Sequence, residues 1–353
     1  MNRTIALLRT IFLAAGVFCL SSCYVTVQGT RYLALRSKAV SAERALADPK
    51  TSAATKNLLS RAAKIRSFAT NVLGLKDTRN YKAVVEMDAD RLATIVSACD
   101  AVSFERYLWR YPVVGALPYK GFFKPEEAER EAARLKAKGL DVIVRPVDAF
   151  STLGWFADPL FSFMSSYDDA ELAETLIHEL SHATVFVKKA EQFNEEFATF
   201  VGRRGALAYL EAAYGPKSRE LEEAIETRRD SETFAAFLRE TADALEPVYG
   251  SSRSREEKLA RKKEILASRA EEYSRIAPSA FKGEGYRDFP MERINNAYLD
   301  LYRLYEGEPE LYREYLDRKC GGNLSRFIKS VADLAASGGD PKERMRNLLG
   351  TGG

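Results

Sequence analysis

The strongest constraint on how this chain can fold is a predicted helix that carries both of its histidines. The chain has 353 residues and only two histidines, His178 and His182. At 100° per residue, two positions four apart lie about 40° from each other around a helix. The two imidazoles therefore lie side by side, one turn apart. Apolar residues recur at helical spacing from 169 to 187 and predict a buried face that points away from the histidines: Ala173, Leu176, Ile177, Leu180, Thr184 and Val187.

The spacing of the histidines is typical of a metal-binding helix. Two neutral imidazoles one turn apart can bind a single cation of tetrahedral preference, such as Zn²⁺. Glu179 follows His178 and completes an HExxH pattern in "HELSH". In that pattern the glutamate does not bind the metal; it takes a proton from the water that the metal activates and passes it to the leaving amine. We therefore expect one Zn²⁺ per chain, the alternative being two histidines on a helix surface without metal.

A third ligand has to be a residue other than histidine, because no histidine is left. Glu195, in "FNEEFATFVG", precedes small residues at offsets of three, four and seven, which predicts a second helix that can approach the first closely enough for a carboxylate to reach the metal. Residues 183–187 can finish the first helix, and "KKAEQ" can make the turn. Glu196 is the alternative ligand, about 100° further round the helix; the spacing favours Glu195.

The rest of the sequence predicts a predominantly helical α+β fold, with a small mixed β-sheet followed by a helical region. Residues 30–73 indicate two helices broken around Asp48-Pro49. Strand patterns follow in "YKAVVEMD", "YPVVGALPYKGFF" and "DVIVRPVDAF", with a helix at 124–139 that begins near Pro125 and ends near Gly139. Beyond Asp168 the pattern is helical, and we expect the tail "RMRNLLGTGG" to fray.

The first residues have the layout of a secretory signal. Arg3 and Arg9 precede an apolar run at 11–20, which is too short to span a bilayer. It ends in "LSSC", which resembles the lipobox of bacterial lipoproteins, so we expect cleavage after residue 22 and lipidation of Cys23. The alternatives are a plain signal peptide and an uncleaved anchor. A lipidated Cys23 would hold the chain in the bacterial cell envelope, with the outer membrane facing the periplasm as the expected location.

Charge and cysteine content exclude other classes. The formal charge is +3, with basic and acidic residues interleaved, so we expect no nucleic-acid partner. Cys99 and Cys320 lack a CxxC partner, which disfavours zinc-thiolate and redox sites. They either pair with each other or serve as small buried apolar residues.

The two helix motifs together resemble the gluzincin metallopeptidases, which include thermolysin-like and aminopeptidase-N-like enzymes. "NEEFA" is similar to the NExFA motif of the aminopeptidase branch; the resemblance implies that Glu195 is the third ligand, with Asn194 beside it as a possible substrate contact. "YPVVGALPYKGFF", "STLGWFADPL", "FNEEFATFVGRRG" and "INNAYL" resemble a bacterial family of predicted zinc aminopeptidases, commonly lipoproteins, from about residue 24 to 340. The resemblance implies peptide substrates and a zincin-like catalytic region.

The expected organisation has four parts: a signal peptide at 1–22, a tether with N-terminal helices at 23–75, a small α/β region at 76–167 and a helical metallopeptidase region at 168–345. In such enzymes a further donor stabilises the oxyanion. Here it would be an arginine or a tyrosine, with Tyr119, Tyr286 and Tyr298 as candidates. Glu171 and Glu174 could orient a histidine. The alternatives to an aminopeptidase are a zinc endopeptidase and an inactive zincin-like lipoprotein that acts as a binding or scaffold module.

Overall fold

A computed structural model describes residue 24 and residues 27–111, 115–147, 158–305 and 308–350. Its helices are α1 (27–36), α2 (Ala42–Ala47), α3 (Ala53–Asn71), α4 (Pro125–Lys136), α5 (Asp169–Thr184), α6 (Glu191–Tyr214), α7 (Arg219–Tyr249), α8 (Arg255–Ala280), α9 (Glu284–Arg287), α10 (Asn296–Tyr305), α11 (Pro309–Cys320), α12 (Leu324–Ala336) and α13 (Pro341–Gly350). Its strands are β1 (Val40–Ser41), β2 (Ala83–Val85), β3 (Ala93–Asp100), β4 (Trp109–Tyr111), β5 (Gly115–Leu117), β6 (Tyr119–Phe122), β7 (Leu140–Val147) and β8 (Leu160–Phe161). The predicted α+β, predominantly helical class is confirmed.

Parts of the sequence prediction lie outside the described residues. The signal sequence, the lipobox and Cys23 precede residue 24, and most of "STLGWFADPL" falls in 148–157. Within the described ranges, no helix combines the length and apolar content needed to cross a membrane.

The chain forms two compact units, each built from separate stretches. The first comprises Met1–Ala39, Asp88–Ala149 and Asn295–Tyr298, and the second comprises Val40–Met87, Phe150–Ile294 and Leu299–Gly353. The histidine helix, α5, and its neighbour α6 belong to the second unit.

A three-stranded antiparallel sheet, β6-β3-β7, is the centre of the first unit. The central strand β3, "ATIVSACD", is not among the predicted strands, because six of its first seven positions are buried and it lacks the polar alternation of a half-exposed strand. Helix α4 packs on this sheet around Val96, Trp109 and Leu135. It begins at Pro125 as predicted, and Gly139 turns the chain towards β7 with φ +75°.

Within the described residues, the strands form three small sheets rather than one. In the second unit, β2 pairs with β1 antiparallel and with β8 parallel, so the predicted mixed sheet is present in this small form. Strands β4 and β5 form a separate antiparallel pair.

Helix boundaries agree with the sequence prediction in part. Before Asp48 the chain forms α1, β1 and α2, instead of the single predicted helix, and the predicted break falls between α2 and α3. The prediction of a frayed tail is wrong for the residues up to 350, because α13 buries Met345 and Leu349. Cys99 and Cys320 are both free and buried, which supports the reading of small buried residues.

Candidate metal centre

The histidine helix α5 begins and ends through local interactions. The Asp168 side chain accepts a hydrogen bond from the Glu171 backbone N–H at 2.8 Å and caps the helix. The predicted inner face is buried up to Leu180. The helix ends at Thr184, so the prediction of a helix through Val187 is wrong: Val185 is buried in an extended conformation, with φ −128° and ψ 116°.

Asn194 stabilises the turn that joins α5 to α6. Its Oδ1 accepts a hydrogen bond from the Val187 N–H, and its Nδ2 donates one to the Val187 carbonyl, both at 2.8 Å. The side chain is 3% exposed. The resemblance implies Asn194 as a possible substrate contact; in the structure its amide is hydrogen-bonded to the backbone, where it holds the segment that carries the adjacent Glu195.

Helices α5 and α6 pack tightly against each other at two glycines of α6. A Cβ atom on Gly202 would lie 3.0 Å from the Glu174 carbonyl oxygen and 3.1 Å from the His178 Cβ. A Cβ on Gly205 would lie 2.9 Å from the Ile177 Cγ2. The small-residue face predicted for the second helix is therefore the contact surface, and it brings Glu195 to the histidines.

We expect Gly202→Ala to destabilise the protein by about 1–3 kcal/mol, the usual cost of overpacking, and to weaken metal binding. The added methyl group meets backbone and Cβ atoms of α5, so the two helices have to separate. Gly285→Ala is the matched control, because a Cβ there meets nothing within 4 Å. Urea unfolding and a zinc titration of both variants test this; equal midpoints and equal zinc affinities would contradict a tight crossing.

His178, His182 and Glu195 form a group that could hold a metal ion. The Nε2 atoms of the two histidines are 3.1 Å apart. Glu195 Oε2 is 3.8 Å from His178 Nε2, and Glu195 Oε1 is 3.5 Å from His182 Nε2. Two ligands of a tetrahedral zinc ion, each about 2.0–2.1 Å from it, would be about 3.3 Å apart. One ligand atom from each of the three side chains lies within 4.8 Å of the others, so the group is close to the size that one such ion requires.

The protonation of the histidines suits metal binding. Burial, with smaller effects from His182 and Arg203, lowers the pKa of His178 to about 3. Burial lowers the pKa of His182 to about 4. Both imidazoles are therefore neutral near pH 7, and a neutral imidazole has the lone pair that a metal needs.

Glu179 lies beside the group in a setting that disfavours its negative charge. Burial, and then the carboxylates of Glu195 and Asp158, raise the pKa of Glu179 to about 8. A cation bound beside Glu179 would have the opposite effect: it would lower the pKa of Glu179 and favour the negatively charged carboxylate. The pKa of Glu179 therefore lies close to neutral pH, which is the range that a general base requires.

Glu196, the alternative ligand, is engaged elsewhere. It is 4% exposed. It accepts hydrogen bonds from Gln192 Nε2 at 2.7 Å, Tyr312 OH at 3.1 Å and Lys342 Nζ at 2.8 Å. Its charge is satisfied away from the histidines, which leaves Glu195 as the carboxylate at this site.

A cleft of about 700 Å³ opens beside His178 and Glu179. Of the three candidate tyrosines, Tyr286 lines this cleft. Buried Asp230 holds the segment that leads into α9, which carries Tyr286. Asp230 Oδ2 accepts hydrogen bonds from the backbone N–H groups of Lys282 and Gly283 at 2.9 and 2.7 Å. Tyr119 and Tyr298 belong to the first unit.

Arg203 is a cleft residue that the sequence prediction missed. It lines the cleft and forms an ion pair with Glu174, with Nε 3.5 Å from Oε1. Glu171 and Glu174, expected as orienting groups, also line the cleft. Arg203 is eight residues after Glu195, about 80° round α6, so helical spacing from the ligand was the signal that could have found it.

These features define a mostly helical protein with a two-histidine, one-carboxylate group, placed at a cleft, that could hold a metal ion. Residues 23–348 match the model of a family described as "Putative aminopeptidase". The match spans most of the chain, and the chain belongs to this family. No curated protein and no solved structure matches the chain. Family membership indicates a peptidase that acts on peptide substrates.

Proposed function

We propose that the protein is a zinc aminopeptidase. The observation that carries the proposal is the group formed by His178, His182 and Glu195, with one ligand atom from each residue within 4.8 Å of the others, beside Glu179 and an open cleft. Two imidazole nitrogens and one carboxylate oxygen are a donor set of catalytic zinc sites, which keep a fourth position open. A structural zinc site would be closed by a fourth protein ligand.

The chain's own residues supply the remaining chemistry. When bound, the zinc ion supplies Lewis acidity, which lowers the pKa of water and polarises the scissile carbonyl. Glu179 accepts the proton from the attacking water and gives it to the leaving amine. Arg203 and Tyr286 line the cleft, and either can donate a hydrogen bond to the carbonyl oxygen as negative charge develops on it.

The charge of the cleft favours a substrate with a free amino terminus. Among the described lining residues, the carboxylates other than Glu179 outnumber the two arginines, Arg203 and Arg228; these carboxylates are Asp168, Asp169, Glu171, Glu174, Glu220 and Glu223. An ammonium group is attracted into such a site, whereas a blocked amino terminus gains nothing there.

Peptides with free and acetylated amino termini test this assignment. We expect the zinc-loaded protein to hydrolyse the free peptide at least about tenfold faster in kcat/KM, since one lost charged contact is worth that factor. The released amino acid identifies the bond cut. Equal rates for both peptides would make the enzyme an endopeptidase, and an absence of zinc and of hydrolysis would favour an inactive binding module.

We also propose that the enzyme is anchored in the bacterial cell envelope through lipidated Cys23, with the outer membrane facing the periplasm as its location. The support is the sequence Leu20-Ser21-Ser22-Cys23 after a short apolar run. Incorporation of a fatty-acid label that Cys23→Ser abolishes, with the label in the outer-membrane fraction, is the expected result. Labelling that persists in Cys23→Ser would contradict it.

A further inference from the structure

A second cavity, of about 830 Å³, lies between α6, α7 and the start of α11. We call it the arginine cavity. The reaction proposed above does not use it. Of the residues that the structure describes, six arginines line it: Arg203, Arg204, Arg228, Arg229, Arg239 and Arg313.

The carboxylates in the lining do not cancel this positive charge. The glutamates of the described lining are Glu196, Glu232, Glu308 and Glu310. Lys342 contacts two of them, Glu196 at 2.8 Å and Glu308 at 2.6 Å. Arg346 also contacts Glu308, so two cations outside the lining, Lys342 and Arg346, balance these two carboxylates. Within the lining, Arg313 pairs with Glu310 at 2.9 Å. The remaining glutamates are fewer than the arginines, and the arginine cavity retains a net positive charge.

The arginine cavity adjoins the cleft at the metal centre. Arg203, Leu207 and Arg228 line both spaces. The two spaces have opposite charge: the cleft at the metal centre is acidic, and the arginine cavity is basic. A peptide with its ammonium group in the first space could therefore place acidic side chains in the second.

We propose that the arginine cavity binds the carboxylate side chains of peptide substrates, so that the enzyme prefers peptides with Asp or Glu downstream of a free amino terminus. This inference rests on the proposed peptidase function. The planar guanidinium group binds carboxylates in a bidentate manner. Phe200, Leu207 and Ile225 also line the cavity; this apolar surface suits the stem of a peptide side chain and offers nothing to an inorganic anion.

The test measures binding without requiring turnover. The protein carries Glu179→Gln and zinc, and the ligands are two fluorescent peptides with free amino termini that differ in two downstream residues, Glu-Glu or Gln-Gln. We expect the Glu-Glu peptide to bind about tenfold more tightly, with a preference that shrinks as salt is raised. When Arg229→Gln and Arg239→Gln are added to the Glu179→Gln protein, most of the preference for the Glu-Glu peptide should disappear. Arg253→Gln with Arg261→Gln, exposed positions on or next to α8, makes the same charge change outside both spaces and should preserve it.

Several outcomes would overturn the proposal: equal affinity for the two peptides, or an equal loss of preference in the control pair. Phosphate binding that depends on Arg229 and Arg239, without a peptide preference, would make the cavity a phosphate site and also overturn it. Failure of the peptidase function is recognised separately. Protein with the native Glu179 that hydrolyses neither peptide, while the Glu179→Gln form prefers the acidic one, would keep the carboxylate-binding cavity and remove the peptidase.

Discussion

Replacing Glu179 with glutamine should lower peptide hydrolysis by about 10²–10⁴-fold, the usual contribution of a general base. Glutamine has almost the same shape but cannot accept the proton of the attacking water. The change should leave zinc bound, because the proposed ligands are His178, His182 and Glu195. Steady-state rates on a free-amine peptide and zinc content by mass spectrometry test both halves of the expectation.

Glu256→Gln is the control for this variant. It makes the same charge change at an exposed position on α8, so it should keep both the rate and the zinc. If the Glu179→Gln protein held zinc and kept its full rate, the proton transfer would belong to another group. If it lost zinc as well as rate, Glu179 would act in holding the metal.

The part of the site on α5 and α6 could be predicted because helical spacing determines which of its side chains share a face. The four-residue separation places His178 and His182 on one face, and their Nε2 atoms are 3.1 Å apart. The small face on α6 indicated a close crossing, which Gly202 provides. Local periodicity thus brings the three predicted ligands together.

The features that the sequence did not reveal depend on partners far along the chain. Glu196 is held by Lys342, 146 residues away and just before the tail that the sequence predicts to fray. Strand β3 is buried between β6 and β7, so its pattern lacks the alternation that identifies a strand. The arginine cavity draws on α6, α7 and α11, and single-helix spacing cannot show which helices become neighbours.

The adjacent residues Glu195 and Glu196 give the sharpest test of the site, because the same change should act on different properties. Glu195→Gln should weaken zinc binding at least about 100-fold, since even the loss of an outer partner of a ligand costs about 10–100-fold. The metal-free variant should be no less stable than its parent, because the Glu195 carboxylate faces Glu179 and raises its pKa.

Glu196→Gln should keep zinc and lose stability. The substitution removes the charge that faces Lys342 at 2.8 Å in a buried position. We expect a loss of about 2 kcal/mol, less than the ~3–5 kcal/mol of a fully broken buried pair, because Glu308 stays 2.6 Å from the same lysine. Zinc titration and urea unfolding of both variants give four values. A Glu196→Gln protein that loses zinc, beside a Glu195→Gln protein that keeps it, would reverse the assignment of the third ligand.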